Sequence, residues 1–293
     1  MLLRLRTLVI TLLVIPPLAG CQFIDRQQAP KPLLMPVRPS ADSVGLEIFF
    51  ARFAASDKRI NEALWKEVDE QRLSADVRRE LAQKGFRVGV VGSHMPALLA
   101  RLMHLTDEPV VQGETSPAEL ETEPVVTKRL LQVRAGRRGD IVTSGLYAEL
   151  PLLTRDDDAV RGQTYRKADG HFALYATTQG DGQVRVELVP ELHHGDPKQQ
   201  WAGSQGVFHF EVARDRQVFE DLKIEALLAP GEMLIMTALP ARPGSLGHYF
   251  FTEPAAEQLA QKMMIIRLAQ TPPDSRFSDE QTATLEVVSG ANE

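Results

Sequence analysis

The chain of 293 residues carries 33 lysines and arginines against 39 aspartates and glutamates, which gives a formal net charge of −6 at pH 7. An acidic chain lacks the concentrated positive field that binds phosphate backbones, so this balance argues against a nucleic-acid-binding protein. One cysteine excludes a disulfide within the chain, and 43% hydrophobic residues are enough for one large core or two small ones.

The first residues have the pattern of an export signal. Arg4 and Arg6 precede an apolar run, residues 7–18, which is shorter than the roughly 20 residues that a membrane-spanning helix needs. Leu18-Ala19-Gly20-Cys21 follows, and it resembles the lipobox of bacterial lipoproteins. The resemblance implies that residues 1–20 are a cleaved signal peptide and that Cys21 carries the lipid, palmitate included. The alternative is an ordinary signal peptide whose cysteine is incidental.

A lipid on Cys21 would make a membrane the first partner of the protein, because buried acyl chains hold an attached protein at the bilayer. The residue directly after Cys21 is Gln22 and not aspartate. This resembles the sorting pattern of outer-membrane lipoproteins and implies a protein that faces the periplasm. Residues 21–42 contain four prolines among polar residues and are typical of an extended tether.

A small α/β unit is predicted over residues 43–106. Apolar residues recur at helical spacing between positions 60 and 68, and Ser74 is a candidate N-cap for a second helix. Residues 86–91 are good strand formers, and a short helix is predicted over residues 96–105. These elements predict helices packed on one face of a small sheet.

An acidic linker is predicted over residues 107–124. A β-rich domain follows it over residues 125–270, and a polar tail over residues 271–293 ends the chain as given. Apolar residues alternate over 172–176 and again over 184–188, and the turn sequence Gln179-Gly180-Asp181-Gly182 separates them. This pattern predicts a β-hairpin. The predicted fold class is therefore α+β, with a small N-terminal α/β unit followed by a larger, predominantly antiparallel β domain.

The candidate metal ligands are weak. His193, His194 and Asp196 offer the imidazoles and the carboxylate that zinc prefers, but adjacent residues of an extended segment point to opposite sides. We interpret the segment as an exposed turn and expect no metal and no cofactor. Four other histidines stand isolated in the sequence: His104, His171, His209 and His248.

A basic turn is the candidate for ligand binding. Arg134, Arg137 and Arg138 lie close together beside two glycines, and guanidinium groups suit carboxylates and phosphates. Charged turns are also common for solubility alone, so the turn does not by itself define a site. No segment has the spacing of a catalytic motif, and we expect no catalytic residues.

The C-terminal half, residues 139–270, resembles the C-terminal homology domain of bacterial secretins. The resemblance rests on a strand at 184–191, a Pro-Gly turn and apolar strand at 230–236, an aromatic segment at 246–251 and a closing apolar strand at 263–268. It departs from the family at residues 239–244, where the family's VPxLGDxP-type stretch is absent. The resemblance implies a role linked to a secretion or pilus apparatus.

The function predicted from the sequence is a structural or protein-interaction role in the bacterial cell envelope, without catalysis. Envelope proteins, and other copies of the same chain, are the expected protein partners. The alternatives are a lipid-anchored hydrolase, in which His193 or His194 meets an acid in a deep pocket, and a ligand-binding lipoprotein that uses the turn at Arg134, Arg137 and Arg138.

Overall fold

The structure is a computed structural model that describes residues 43–103, 126–156, 159–179, 182–204, 207–254 and 259–270. These residues belong to one compact unit of the chain, Pro39–Glu293. The predicted signal peptide with Cys21, the tether, the acidic linker and the C-terminal tail lie outside the described residues. Within that part of the chain, no helix is both long and apolar enough to span a membrane.

Strands dominate the described residues. The strands are β1 Ser43–Ala54, β2 Phe86–Val91, β3 Val126–Arg134, β4 Arg138–Val142, β5 Tyr147–Asp156, β6 Ala159–Thr178, β7 Val184–Ser204, β8 Val207–Val218, β9 Ile224–Leu228, β10 Met233–Ala238, β11 Thr252–Pro254 and β12 Leu259–Gln270. The helices are α1 Ala75–Gln83, α2 Ala97–Leu102 and α3 Leu246–Phe251.

The strands form two antiparallel sheets. The first sheet has the order β2-β10-β12-β1-β3, and β11 pairs with β12. The second has the order β4-β6-β7-β8, with β5 also on β6 and β9 also on β7. Every strand pair in both sheets is antiparallel.

The predicted α+β class is wrong, because the fold is mostly antiparallel β and the N-terminal segment forms no small α/β unit of its own. Its strands β1 and β2 pair with β12 and β10 from the far end of the chain. β1 is buried on both faces over most of its length, as is expected of a central strand. A strand of this kind lacks the alternation that reveals strands with one solvated face.

Several local predictions are confirmed. Ser74 caps α1, with its hydroxyl accepting from the backbone N–H of Val77 at 3.4 Å. The helix ends at Gln83, and Gly85, two residues further on, has the φ of +85° that suits a glycine after a helix. β2 covers the predicted residues 86–91, and the predicted hairpin forms between β6 and β7. The predicted helix at 60–68 is instead a π-turn over Arg59–Ala63 followed by a 3₁₀ turn over Leu64–Lys66.

The hydrophobic core occupies both faces of the first sheet. Between the two sheets, the rings of Phe86, Phe172 and Phe250 meet with centroids 5.3–6.1 Å apart, and all three side chains are fully buried. Against the outer face, the turns after β1 bury Leu64 and Trp65. One face of the second sheet is therefore buried in the core, and the other is left for polar residues.

Glu47 joins three strands of the first sheet through ion pairs. Its carboxylate on β1 accepts from Arg267 Nε on β12 at 2.7 Å and lies 2.5 Å from Lys128 Nζ on β3. Burial would raise the pKa of Glu47, but the hydrogen bonds from these two cations outweigh that effect and lower it. The ionised carboxylate therefore stabilises the order of these three strands.

Candidate functional site

The second sheet divides at one point, which we call the fork. β6 and β7 pair from Thr178 and Val184 as far as Asp169 and His193, and there the ladder between them ends. Residues 159–168 of β6 continue in a hairpin with β5, and residues 198–204 of β7 continue in a hairpin with β8. Among the described residues, no strand pairs with the facing edges of these two hairpins.

Backbone irregularities on both strands explain why the ladder stops. Lys167, on β6, has a φ of +49°, and it is the one residue other than glycine with positive φ in the described part of the chain. Gly195, on β7, has a φ of +77° within a bulge between His194 and Lys198. Pro197, in the same bulge, has no N–H to donate. These conformations bend the two strands away from a regular ladder.

Polar side chains gather on the solvent-side face of the second sheet, directly before the fork. We call Asp140 from β4, Asp169 and His171 from β6, and Glu191 and His193 from β7 the histidine cluster. Register places them together, since His171 pairs with Glu191 and with Val142, and Asp169 pairs with His193. His171 and Glu191 are nonetheless buried, at 6% and 4% exposure. Buried charges of this kind need partners.

His171 lies between two carboxylates. Its Nδ1 is 2.8 Å from Asp140 Oδ2, and its Nε2 is 3.3 Å from Asp169 Oδ2 without a hydrogen bond of good geometry. Burial would lower the pKa of His171, but the two carboxylates outweigh it and raise the pKa to about 9. His171 is therefore protonated at neutral pH and neutralises part of the cluster's negative charge.

His193 stacks on His171. The two ring centroids are 3.8 Å apart and the rings are inclined by 12°, while His193 Nε2 lies 3.0 Å from Glu191 Oε2. Burial lowers the pKa of His193, and the charge on His171 adds to this despite the opposing effect of Glu191. The stack therefore combines a protonated and a neutral imidazole.

Arginines neutralise the carboxylates of the histidine cluster. Arg214 from β8 donates to Asp169 at 2.5 Å and also to the carbonyl of Lys167. Arg138 from β4 donates to Glu191 at 2.7 Å. Residues from four strands thus form one network at the base of the two hairpins.

The structure separates the candidate ligands that were chosen from the sequence. His193 joins the histidine cluster, but His194 lies against the Tyr165 ring with 5.0 Å between centroids, and Asp196 pairs with Lys167. Both histidines lie in strand β7, so the interpretation of this segment as a turn is wrong. The interpretation of His171 as isolated is also wrong.

The three arginines of the basic turn are also separated. Arg138 contacts the histidine cluster through Glu191, as described above. Arg134 ends β3, and Arg137 follows it in a turn that the Arg137 N–H closes onto the Arg134 carbonyl at 2.9 Å. Both of these side chains are exposed.

Two cavities lie away from the cluster. One, of about 560 Å³, is lined by α1 and β2 and includes Arg78, Arg87 and Leu81. The other, of about 400 Å³, is lined by residues that include Arg52 and Lys262. Neither is lined by His193 or His194, so neither brings these histidines into the deep pocket that the hydrolase hypothesis requires.

Comparison with known proteins gives one weak structural resemblance. No family model and no curated protein matches the chain. Two structures of the secretin InvG from the Salmonella SPI-1 injectisome align with 86% of this chain and with 69% and 71% of theirs, at 12% and 11% identity and TM-scores of 0.21 and 0.22. The type IV competence pilus secretin PilQ of V. cholerae aligns with 76% of this chain and 57% of its own, at 10% identity and a TM-score of 0.19. TM-scores this low do not establish a shared fold.

Proposed function

We propose that this protein is a non-catalytic, lipid-anchored component of the bacterial cell envelope that pairs strand edges with neighbouring copies of itself. The observation that carries the proposal is the fork, where two hairpins leave a common sheet with facing edges that no described strand covers. Unpaired backbone N–H and C=O groups along a strand are a template for another strand. Pairing with a second copy would complete these ladders.

The fork edge of β6 differs from the outer edge of the same hairpin. Along β5, the N–H of Leu153 donates to the carbonyl of Gly244 at 3.1 Å, and the hydroxyl of Tyr249 donates to the carbonyl of Pro151 at 2.9 Å. The outer edge of β5 is thus covered in part by the chain around α3. The edge that remains available for pairing is the one that faces the fork.

The direction of the backbone groups on β6 identifies a residue with which to test this edge. On β5, the backbone groups of Leu153 and Pro151 point away from β6, because the N–H of Leu153 donates to Gly244 and the carbonyl of Pro151 accepts from Tyr249. Backbone groups alternate in direction along an antiparallel strand. Thr164 is opposite Pro151 in the register of β6 against β5. These two residues therefore form a pair without backbone hydrogen bonds, and Thr164 directs its N–H toward the fork.

The test is the mass of the compact unit, Pro39–Glu293, measured by light scattering for two substitutions at one position. Thr164→Pro removes an N–H on the fork edge while leaving the hydrogen bonds of the β5 ladder intact, and it is expected to reduce the assembly to smaller species. Thr164→Ser keeps the N–H and is expected to assemble as the original chain does. Equal masses for the two variants, with unchanged circular dichroism, would contradict pairing through this edge.

Membrane attachment through Cys21 is a separate part of the proposal, supported by the lipobox-like sequence Leu18-Ala19-Gly20-Cys21. Cells expressing the full chain should incorporate labelled palmitate into it and place it in the membrane fraction. Cys21→Ser should lose the label. An unlabelled original chain would refute the anchor without bearing on the strand pairing.

A secretin-like role in a secretion or pilus apparatus is the finer form of the proposal. It is supported by the motifs between residues 139 and 270 described above. It predicts that the assembled protein is a closed ring, because rotationally repeated pairing ends when the last copy meets the first. Electron microscopy of the assembled fraction tests this, and open filaments or irregular clusters would contradict it.

A further inference from the structure

We propose that the histidine cluster is a zinc-binding site in which Asp140, His171 and His193 are the ligands. One ligand atom from each of these residues lies within 4.8 Å of the other two, on three neighbouring strands of one sheet. Two imidazoles and a carboxylate are ligands typical of zinc, which completes a tetrahedral site with water when the protein supplies three.

Each histidine has one ring nitrogen available to the proposed metal and the other beside a carboxylate that is not a proposed ligand. Such a carboxylate orients a ligating imidazole. His171 has Nδ1 on the Asp140 side and Nε2 3.3 Å from Asp169. His193 has Nε2 on Glu191 at 3.0 Å, which leaves its Nδ1 for the metal. A carboxylate behind a ligating histidine fixes the ring and makes its other nitrogen a better donor.

Arginines hold these two supporting carboxylates in place. Arg214 donates to Asp169 at 2.5 Å and Arg138 donates to Glu191 at 2.7 Å. Asp140 is farther from a guanidinium, with 3.4 Å between its Oδ1 and Arg138 Nη2. Asp140 is therefore the carboxylate most able to turn toward an ion.

Metal binding requires a specific movement of the two rings, and it releases the proton of His171 to solvent, because only a neutral imidazole binds a metal. A ring nitrogen binds a metal in the plane of its own ring, whereas the two imidazoles are stacked almost parallel. The rings must tilt toward a shared point, and the unpartnered Nε2 of His171 would move relative to Asp169 as its ring turns. His193, the more exposed of the two side chains at 16% against 8%, has more room for this movement.

The experiment measures zinc bound per chain, by elemental analysis after gel filtration, in untagged protein first stripped with chelator. The expected result is one zinc ion per original chain, with at least a tenfold loss of affinity for His193→Ala and for Asp140→Ala. Glu191→Gln should weaken binding by about 10- to 100-fold, since it removes only the charge behind His193. Magnesium should not compete, because it prefers an all-oxygen site.

His194→Ala is the matched control, since it changes the neighbouring residue, whose ring contacts Tyr165 and not the cluster. It should bind zinc as the original chain does. Equal loss in the His193 and His194 variants would overturn the proposal, as would the absence of zinc uptake by the original chain.

A second measurement does not depend on variants that fold. Cobalt(II) replaces zinc in such sites and reports its ligands by absorption, so cobalt added to the original chain should give the bands of a tetrahedral nitrogen and oxygen site. A purely octahedral, water-like spectrum would also overturn the proposal. Strand pairing at the fork is tested by mass, so either proposal can fail alone.

Discussion

Glu191 is expected to be a main source of stability in the second sheet. It is 4% exposed and its carboxylate meets Arg138 at 2.7 Å, His193 at 3.0 Å and Arg216 at 3.8 Å. Glu191→Ala leaves two donors without their shared acceptor. A hydrogen bond to a charged group is worth about 1.5–3 kcal/mol. The Arg138 side chain is 33% exposed, so water can replace part of the contact. We therefore expect Glu191→Ala to lower the free energy of unfolding by about 2–3 kcal/mol.

The assay is urea denaturation of the Pro39–Glu293 unit in the presence of chelator, with the melting temperature as a second readout. For a chain of this size, the expected loss lowers the melting temperature by about 4–12 °C. Glu187→Ala is the control on the same face of β7, where the carboxylate is 31% exposed and lies 4.0 Å from Lys223 Nζ. The control should change stability by less than about 0.5 kcal/mol. Equal effects from both substitutions would refute the assigned role of burial and pairing.

Two further predictions concern the rest of the fold. Gly247→Ala would place a Cβ 2.1 Å from the backbone oxygen of Gly85, so α3 must move and about 3 kcal/mol of stability should be lost. The Cβ of Gly92→Ala meets nothing within 4 Å, so this control should be nearly neutral in denaturation experiments. Because folding lowers the pKa of Glu47, its ionised carboxylate stabilises the folded state fully above the unfolded-state pKa of about 4.3. This contribution is lost as the pH falls through the folded-state pKa. Glu47→Gln should therefore lower stability at pH 7 and flatten the acid side of the stability curve, and a gap between the two proteins that widens toward low pH would contradict this.

The local part of the site was accessible from the sequence. The predicted hairpin turn fixes the register of β6 against β7, and counting back from Thr178 and Val184 pairs His171 with Glu191 and Asp169 with His193. Polar residues at alternate positions on both arms of an apolar hairpin were the available signal. Treating His171 as isolated overlooked this register.

The remaining parts depend on contacts that no local pattern encodes. Asp140 reaches His171 because β4 pairs with β6, and Arg214 reaches Asp169 because β7 contains a bulge that sets the position of β8. β1 was missed for a related reason. Its partner β12 lies more than 200 residues away, and both are apolar on the two faces that a central strand buries.

The central claim is that the fork pairs with other copies of the chain, and the mass of the Pro39–Glu293 unit in solution tests it most directly. Light scattering over a range of protein concentrations should give a defined oligomer that Thr164→Pro reduces and Thr164→Ser does not. A monomer at every concentration would contradict the claim.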